Sequence, residues 1–133
     1  MAVNCPFCSN KIQIQNSNES AISIFDKYPV TKNHCLIIPK RHVTSFFKLN
    51  TKEQLDCFIL TNLVKSQLCD IDETISGFNL GINDGYDAGQ TVPHCHIHLI
   101  PRRKNDVKFP MGGIRHVFPE KGYYGKFLEL VQE

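Results

Sequence analysis

Three of the six histidines in this chain occupy alternate positions of a single short segment. Because side chains alternate between the two faces of an extended strand, His94, His96 and His98 are expected to share one face. The residues interleaved with them are apolar and are expected to pack against a core: Cys95, Ile97 and Leu99. Prolines on both sides predict the limits of this strand, at Pro93 and Pro101. The strand presents three imidazoles, each able to act as a nucleophile, a general acid or base, or a metal ligand.

The rest of the chain favours an antiparallel sheet. Four other short runs of alternating or apolar residues are typical of strands, at residues 11–15, 21–25, 34–38 and 77–82. The first three are joined by tight connections, as in an antiparallel meander. The fourth leads through a loop into the histidine strand, with which it is expected to pair. The third run is almost continuously apolar, which predicts a central strand buried on both faces.

One long helix is predicted between the third and fourth strands. Thr51 and Gln54 have the form of a capping box, which marks a helix start. A broad apolar face follows and is expected to cover the sheet, or to lie between the sheet and a second subunit; it comprises Leu55, Phe58, Ile59, Asn62, Leu63 and Ser66, widened by Leu60, Val64 and Leu68. A short terminal helix is predicted from Tyr124, Phe127, Leu128, Leu130 and Val131.

These elements predict one α+β domain over residues 1–133, with a core at 1–104 and a C-terminal extension at 105–133. Its architecture is an antiparallel sheet of about five strands, one long helix and a short C-terminal helix. A chain of 133 residues can bury a hydrophobic core without disulfide bonds. Four of the six cysteines lie in apolar patterns and are expected to be buried thiols: Cys35, Cys57, Cys69 and Cys95.

The formal net charge of +2 predicts little about partners. No run of like charge indicates an arm that binds nucleic acid, so a nucleic-acid polymer is not expected as partner. No apolar stretch approaches the roughly 20 residues of a membrane span, and the N-terminal residues do not resemble a secretion signal. We therefore expect a cytoplasmic protein without a membrane partner.

The remaining cysteines, Cys5 and Cys8, have the C-x₂-C spacing that provides half of a tetrahedral zinc site. Two more ligands must then come from elsewhere in the chain. The alternative is a pair of metal-free thiols near the chain terminus.

The segment from Gly89 to Ile100 resembles the His-x-His-x-His-x-x signature of the histidine triad superfamily of nucleotide hydrolases and transferases. The resemblance extends over roughly residues 1 to 104, with its strongest blocks at 26–42 and 83–102. It implies a histidine triad fold and a homodimer with a purine nucleotide as substrate.

A neutral imidazole can attack phosphorus directly and split one transfer into two steps through a covalent intermediate. The resemblance implies that His96 attacks the α-phosphate of a nucleotide. It further implies that His98 contacts the phosphate and assists the leaving oxygen. The resemblance also implies that His34 completes the imidazole cluster and holds the triad, of which His94 is the first histidine, in position.

The loop before the triad carries donors suited to a phosphate, on Asn83, Gln90 and Thr91, and Gly85 and Gly89 permit close approach of backbone N–H groups. The same three polar residues are also ordinary turn formers. The resemblance assigns Asp26 to the ribose hydroxyls, and the neighbouring Ile24 and Phe25 are expected to form an apolar base pocket.

The zinc-bearing branches of the superfamily imply that Cys5, Cys8, His42 and His94 together hold a structural zinc. Four protein ligands leave no position for an activated water, and no organic cofactor is expected. The rival hypothesis is a catalytic zinc on the His-x-His pair, but the histidine strand contains no carboxylate to serve as a third ligand or base.

We therefore expect hydrolysis of dinucleoside polyphosphates at the α-phosphate through a nucleotidyl intermediate on His96. The alternatives are a purine nucleoside phosphoramidase, a dinucleoside polyphosphate phosphorylase, and a nucleotide-binding module with little turnover. Five residues near and within the C-terminal extension have two possible roles: they reach the distal phosphates of the substrate, or they form a solvated surface. They are Arg102, Arg103, Gly112, Gly113 and Arg115.

Overall fold

The computed structural model describes residues 4–123. It contains one helix, α1 (Thr51–Ile71), and five strands: β1 (Asn16–Ser17), β2 (Ala21–Phe25), β3 (Cys35–Pro39), β4 (Ile75–Gly81) and β5 (Ile97–Arg103). All neighbouring strands are antiparallel, in the order β1-β2-β3-β5-β4. Short 3-10 turns lie at Phe46–Lys48, Tyr86–Ala88 and Gly113–Val117. The predicted α+β fold, with an antiparallel five-stranded sheet and one long helix, is confirmed.

Two predicted strands differ most from the structure, and the limits of β3 and β4 are shifted by one or two residues. The first strand pairs only at Asn16 and Ser17, and the alternating run at 11–15 forms no ladder. The histidine strand begins only at Ile97 and continues through Pro101 to Arg103. Pro101 is tolerated because the ladder between β5 and β3 ends at Leu99, so no β3 carbonyl requires an N–H at residue 101.

Helix α1 begins at the predicted Thr51, but its cap lies one residue earlier. Asn50 accepts a hydrogen bond from the N–H of Glu53, and the Glu53 carboxylate accepts one from the N–H of Asn50. This reciprocal pair satisfies two N–H groups that have no partner within the helix. The predicted box of Thr51 and Gln54 is therefore wrong by one position.

The face of α1 that packs on the sheet also differs from the predicted centre of its apolar stripe. The residues buried against the sheet include Cys57, Leu60, Val64 and Leu68. Four large side chains from the predicted stripe lie on the other side and are about half exposed: Leu55, Phe58, Ile59 and Leu63. The helix thus has an apolar outer face in addition to its core face.

The two faces of the sheet have different neighbours. Helix α1 covers the face formed by Ala21, Cys35, Ile37, Ile97 and Leu99. The opposite face carries Ile22, Ile24, Leu36 and Ile38, with Phe7 and Ile12 packed on it. Leu36 pairs with His98, so this second face is the one that carries the histidines. As predicted, β3 is buried on both faces.

The chain divides into two compact units, Met1–Arg103 and Lys104–Glu133. The described part of the second unit, up to residue 123, contains the turn Gly113–Val117, in which the His116 ring donates a hydrogen bond to the Met111 carbonyl at 2.8 Å. The predicted terminal helix at residues 124–131 lies outside the described residues. No described helix is long and apolar enough to cross a membrane.

Candidate active site

Two thiols and two imidazoles from distant parts of the chain converge at one point. The Nδ1 atom of His94 lies 3.4 Å from Cys5 Sγ and 3.5 Å from Cys8 Sγ. The Nδ1 atom of His42 lies 3.3 Å from Cys8 Sγ and 3.1 Å from His94 Nδ1. All four ligand atoms lie within 4.8 Å of one another. The structure thus brings together the four residues that the sequence predicted as metal ligands.

These separations fit a tetrahedral zinc ion. Zn–N bonds of about 2.0 Å and Zn–S bonds of about 2.3 Å place two nitrogens about 3.3 Å apart, and a nitrogen and a sulfur about 3.5 Å apart. The observed distances of 3.1 to 3.5 Å match these values within a few tenths of an ångström. Two thiols and two imidazoles are also a donor set that zinc prefers.

His94 is oriented for this role by a backbone carbonyl. Its Nε2 atom lies 2.8 Å from the oxygen of Pro39, which can only accept a hydrogen bond. The hydrogen of the neutral ring therefore sits on Nε2, and the Nδ1 lone pair faces the thiols. Burial lowers the pKa of His94, which favours this neutral form.

The segment that carries His42 is held by an ion pair that the sequence did not reveal. Arg41 donates two hydrogen bonds to the Glu53 carboxylate, at 2.8 and 2.9 Å. Glu53 is the same residue that caps α1, so one carboxylate joins the helix start to the segment preceding His42. The pairing lowers the pKa of Glu53, first through the hydrogen bond from Arg41.

The central histidine, His96, has the opposite tautomer. Its Nδ1 atom lies 2.8 Å from the carbonyl oxygen of His94 and must donate to it. The Nε2 atom therefore carries the lone pair. His96 is buried, and its ring lies edge-on to the ring of His98 at 5.1 Å between centroids.

The third histidine, His98, forms a chain of contacts with His34. The Nδ1 atom of His98 lies 2.9 Å from Nε2 of His34. The Nδ1 atom of His34 in turn accepts a hydrogen bond from the backbone N–H of Val30 at 3.1 Å. Burial lowers the pKa of His34 and, with the nearby His96 and His34 rings, lowers the pKa of His98 to about 4.

Asp26 completes this second cluster. One carboxylate oxygen accepts a hydrogen bond from the N–H of Tyr28 at 2.9 Å, and the other lies 3.4 Å from Nε2 of His34. Asp26, His34 and His98 could be read as a second metal site from their proximity alone. A metal would need lone pairs on both facing nitrogens, whereas one of them carries the hydrogen that joins the two rings. The geometry is that of a hydrogen-bonded chain.

Phe7 is a residue of this region that the sequence prediction missed. It lies between the two thiols in the sequence, and its ring contacts His94 and His96 edge-on, with centroids 5.8 and 5.1 Å apart. It also packs on the apolar floor beside the histidines. Its position between two metal ligands was the available sequence signal.

The loop before the triad is braced from within. Gln90 accepts a hydrogen bond from Gly85 N–H at 2.8 Å and donates to the carbonyls of Thr44 and Val92. The N–H of Gly89 donates to the Tyr86 carbonyl at 3.0 Å. Both glycines have positive φ, which is why glycine is favoured there. Gln90 thus fixes the loop, while Asn83 and Thr91 have exposed side chains.

The register of β2 separates the two residues predicted for the base pocket. Ile24 pairs with Leu36 and lies on the histidine face of the sheet. Phe25 pairs with Cys35, whose side chain is on the opposite, helix-covered face. The structure therefore places Ile24, and not Phe25, beside the histidines, because side chains alternate along a strand.

Comparisons with known proteins place this site in a family. The model of the HIT domain matches residues 10–105. The chain is 44% identical over 78 residues to a bis(5′-nucleosyl)-tetraphosphatase (asymmetrical) of Schizosaccharomyces pombe, covering 59% of this chain and 42% of that protein. It is 33% identical over 105 residues to a bis(5′-adenosyl)-triphosphatase of Dictyostelium discoideum, covering 77% of this chain and 68% of the relative.

A solved structure of a zinc-bound histidine triad family protein from Mycobacterium smegmatis is also similar. The TM-score is 0.70 at 30% sequence identity, with 77% of this chain and 78% of that chain covered. The fold is therefore similar to that of a protein whose name states that it binds zinc.

Proposed function

The chain belongs to the HIT family, and on that premise we propose that it is a nucleotide hydrolase that cleaves dinucleoside polyphosphates at the α-phosphate. The observation that carries the proposal is the hydrogen bond from His96 Nδ1 to the His94 carbonyl, which leaves a lone pair on His96 Nε2. A neutral imidazole held in one tautomer is a competent nucleophile toward phosphorus. The names of the Schizosaccharomyces and Dictyostelium relatives support this substrate class.

The proposed reaction has two steps, attack by His96 and hydrolysis of the intermediate. The Nε2 lone pair of His96 forms a bond to the α-phosphorus, and the bond from phosphorus to the bridging oxygen breaks with its electron pair on that oxygen. A nucleoside polyphosphate anion departs. Water then bonds to the phosphorus and gives its proton to solvent, and the phosphorus–nitrogen bond breaks with its electron pair returning to His96. A nucleoside monophosphate is released.

The nucleotide lies along the histidine face in this proposal. The apolar floor of Ile22, Ile24, Leu36 and Ile38, covered by Phe7, suits a purine base. Asp26, beside His34, accepts the ribose hydroxyls. Asn83 and Thr91 donate to phosphate from the braced loop.

Zinc has a structural role in this proposal. Cys5, Cys8, His42 and His94 would hold it, and a closed set of four protein ligands leaves no place for an activated water. Through these ligands the ion would connect the N-terminal segment to His94, two positions before the proposed nucleophile. No chemical step requires it.

We also propose a homodimer. The outer face of α1 has large apolar side chains that are about half exposed, and β4 is an edge strand. Phe58, which is 54% exposed, lies on that helix face. Phe58→Glu should convert the dimer to a monomer in sedimentation experiments. Ile71→Glu, an equally drastic change at an exposed residue near the end of α1, should not; a dimeric Phe58→Glu protein would contradict the proposal.

Incubation with diadenosine triphosphate and tetraphosphate, with chromatography of the products, tests the activity. Release of AMP is expected, and His96→Asn should lose it while retaining nucleotide binding. Preference for adenosine phosphoramidate would identify a phosphoramidase, and phosphate-dependent release of ADP a phosphorylase. An unchanged slow rate in His96→Asn would leave only a nucleotide-binding module.

A further inference from the structure

The loop between β2 and β3 contacts the histidine cluster through a backbone group. The N–H of Val30 donates to Nδ1 of His34 at 3.1 Å. An amide N–H cannot accept a hydrogen bond, so the lone pair of the neutral His34 ring must be on Nδ1 and its hydrogen on Nε2. The loop therefore selects one of the two tautomers of a buried histidine.

This selection extends to the next ring. His34 Nε2 lies 2.9 Å from His98 Nδ1, and its hydrogen makes His34 the donor. His98 Nδ1 is then an acceptor, and the hydrogen of the neutral His98 ring must lie on Nε2. The swapped tautomers would set the His34 Nδ1 hydrogen against the Val30 hydrogen, in a region where unpaired polar groups are costly.

The charged and titratable groups around the hydrogen-bonded pair of His34 and His98 favour the same tautomers. Asp26 Oδ2 lies 3.4 Å from His34 Nε2, where a carboxylate attracts the hydrogen on that nitrogen. The ring of His98 packs edge-on against that of His96, and the pKa of His98 is lowered first by burial, which favours its neutral form. Asp26 is itself fixed to the loop by the Tyr28 N–H and by its own N–H, which donates to the His34 carbonyl at 2.8 Å.

We propose that the backbone amide of Val30 is a positioning group for the reaction: through His34 it makes His98 present an Nε2–H donor to the departing oxygen. This proposal rests on the function proposed above. The Nε2–H group donates a hydrogen bond and no proton is transferred, since loss of a proton from a neutral imidazole would leave a partly buried anion. The electron pair departs on the bridging oxygen, which the donor stabilises.

The side chain at this position has no part in the mechanism, because Val30 is 71% exposed. The N–H can be removed with the side chain kept, by replacing the residue with its α-hydroxy acid and so converting the amide to an ester. Val30→Pro removes the N–H by ordinary mutagenesis. Val30→Ala keeps the N–H and is the matched control for both.

Two measurements test the proposal. Nitrogen NMR chemical shifts of the histidine rings distinguish a protonated nitrogen from one with a lone pair. We expect Nδ1 of His34 and Nε2 of His98 to report fixed states in Val30→Ala and mixed tautomers in the ester and proline variants.

The second measurement compares two adenosine monophosphate aryl esters, with nitrophenol and phenol as leaving groups. A more basic leaving oxygen depends more on a donor. Loss of the N–H should lower kcat for the phenyl ester by roughly ten- to a hundredfold, and much less for the nitrophenyl ester. KM should change little for either.

The proposal would be overturned if the variant with a backbone ester at residue 30 kept the tautomers of Val30→Ala and also kept its ratio of kcat between the phenyl and nitrophenyl substrates. If the wild-type protein releases no monophosphate from any substrate, the proposed function fails instead. The NMR measurement decides the inference in that case, because it needs no turnover.

Discussion

The ring of Phe7 lies edge-on to the ring of His96, with 5.1 Å between centroids. Phe7 lies between Cys5 and Cys8 in the sequence, and its ring also contacts His94. These three neighbours of Phe7 are proposed zinc ligands. One aromatic side chain thus joins the proposed zinc site to the proposed nucleophile. Edge-to-face contacts of this kind hold both rings in a preferred orientation.

Replacing Phe7 with alanine should therefore weaken catalysis without removing any reactive group. We expect a fall of roughly tenfold in kcat/KM, or about 1.4 kcal/mol, shared between a higher KM and a lower kcat. Steady-state kinetics with diadenosine triphosphate measures both. Phe109→Ala, at an exposed phenylalanine in the second unit, is the control, and equal kinetics in the two variants would show that the contact has no effect.

Removal of the metal should loosen the N-terminal segment. A ligand that binds only the folded state stabilises it by about 4 kcal/mol at a thousandfold excess over its Kd. A strong chelator, or Cys8→Ser, is expected to lower the melting temperature and to speed amide exchange at residues 5–12. Cys69→Ser is the control, because Cys69 is outside the cluster. Loss of turnover with unchanged stability and exchange would instead indicate a catalytic metal.

The sequence was sufficient to predict the fold because its signals are local. Alternating histidines, the apolar β3 run and the helix periodicity each depend on a few neighbouring residues. The cap of α1 was misplaced because Asn50 and Glu53 form a capping box one residue before the similar pair Thr51 and Gln54. The limits of β5 were misjudged because they depend on where the β3 ladder ends. Only the second is a contact between residues far apart in the chain, since β3 and β5 are separated by α1 and β4.

The candidate site likewise has some features that the sequence predicts and others that depend on the folded structure. The C-x₂-C pair and the alternating histidines were recognisable from residue types and spacing. The family resemblance added His42 and His94 to the predicted metal ligands, and the structure brings these four residues together. Residue types and spacing gave no basis for the tautomers, which depend on the carbonyls of Pro39 and His94 and the N–H of Val30. Backbone groups leave no trace in residue identity. Phe25 was misplaced because strand register is a property of the paired sheet.

Acid should destabilise the protein in part through His98. Its pKa is about 4 when folded, first because of burial, and near 6.5 when unfolded. Between these values the unfolded chain binds a proton that the folded protein does not, so stability is full above about pH 6.5 and falls toward pH 4. His34, whose pKa is also lowered, acts in the same direction.

Urea unfolding at about pH 7 and pH 5 measures this effect. Between these values the wild-type protein should lose on the order of 2 kcal/mol more than His98→Gln, which lacks the titrating ring. The comparison cancels contributions from protonation of the metal ligands, which both proteins share. An equal loss in both proteins would mean that His98 has an ordinary pKa.

Replacement of Ser23 by alanine should stabilise the protein. It is fully buried on β2, and its Oγ has no hydrogen-bond partner within residues 4–123. A buried hydroxyl without a partner costs about 1 to 3 kcal/mol, and alanine fills nearly the same volume. Ser23→Ala should raise the free energy of unfolding by about 1 kcal/mol, measured by urea denaturation. Ser17→Ala, on the exposed β1, should change it by less than about 0.5 kcal/mol. A destabilised Ser23→Ala protein would show that the hydroxyl has a partner, for which a buried water is the simplest candidate.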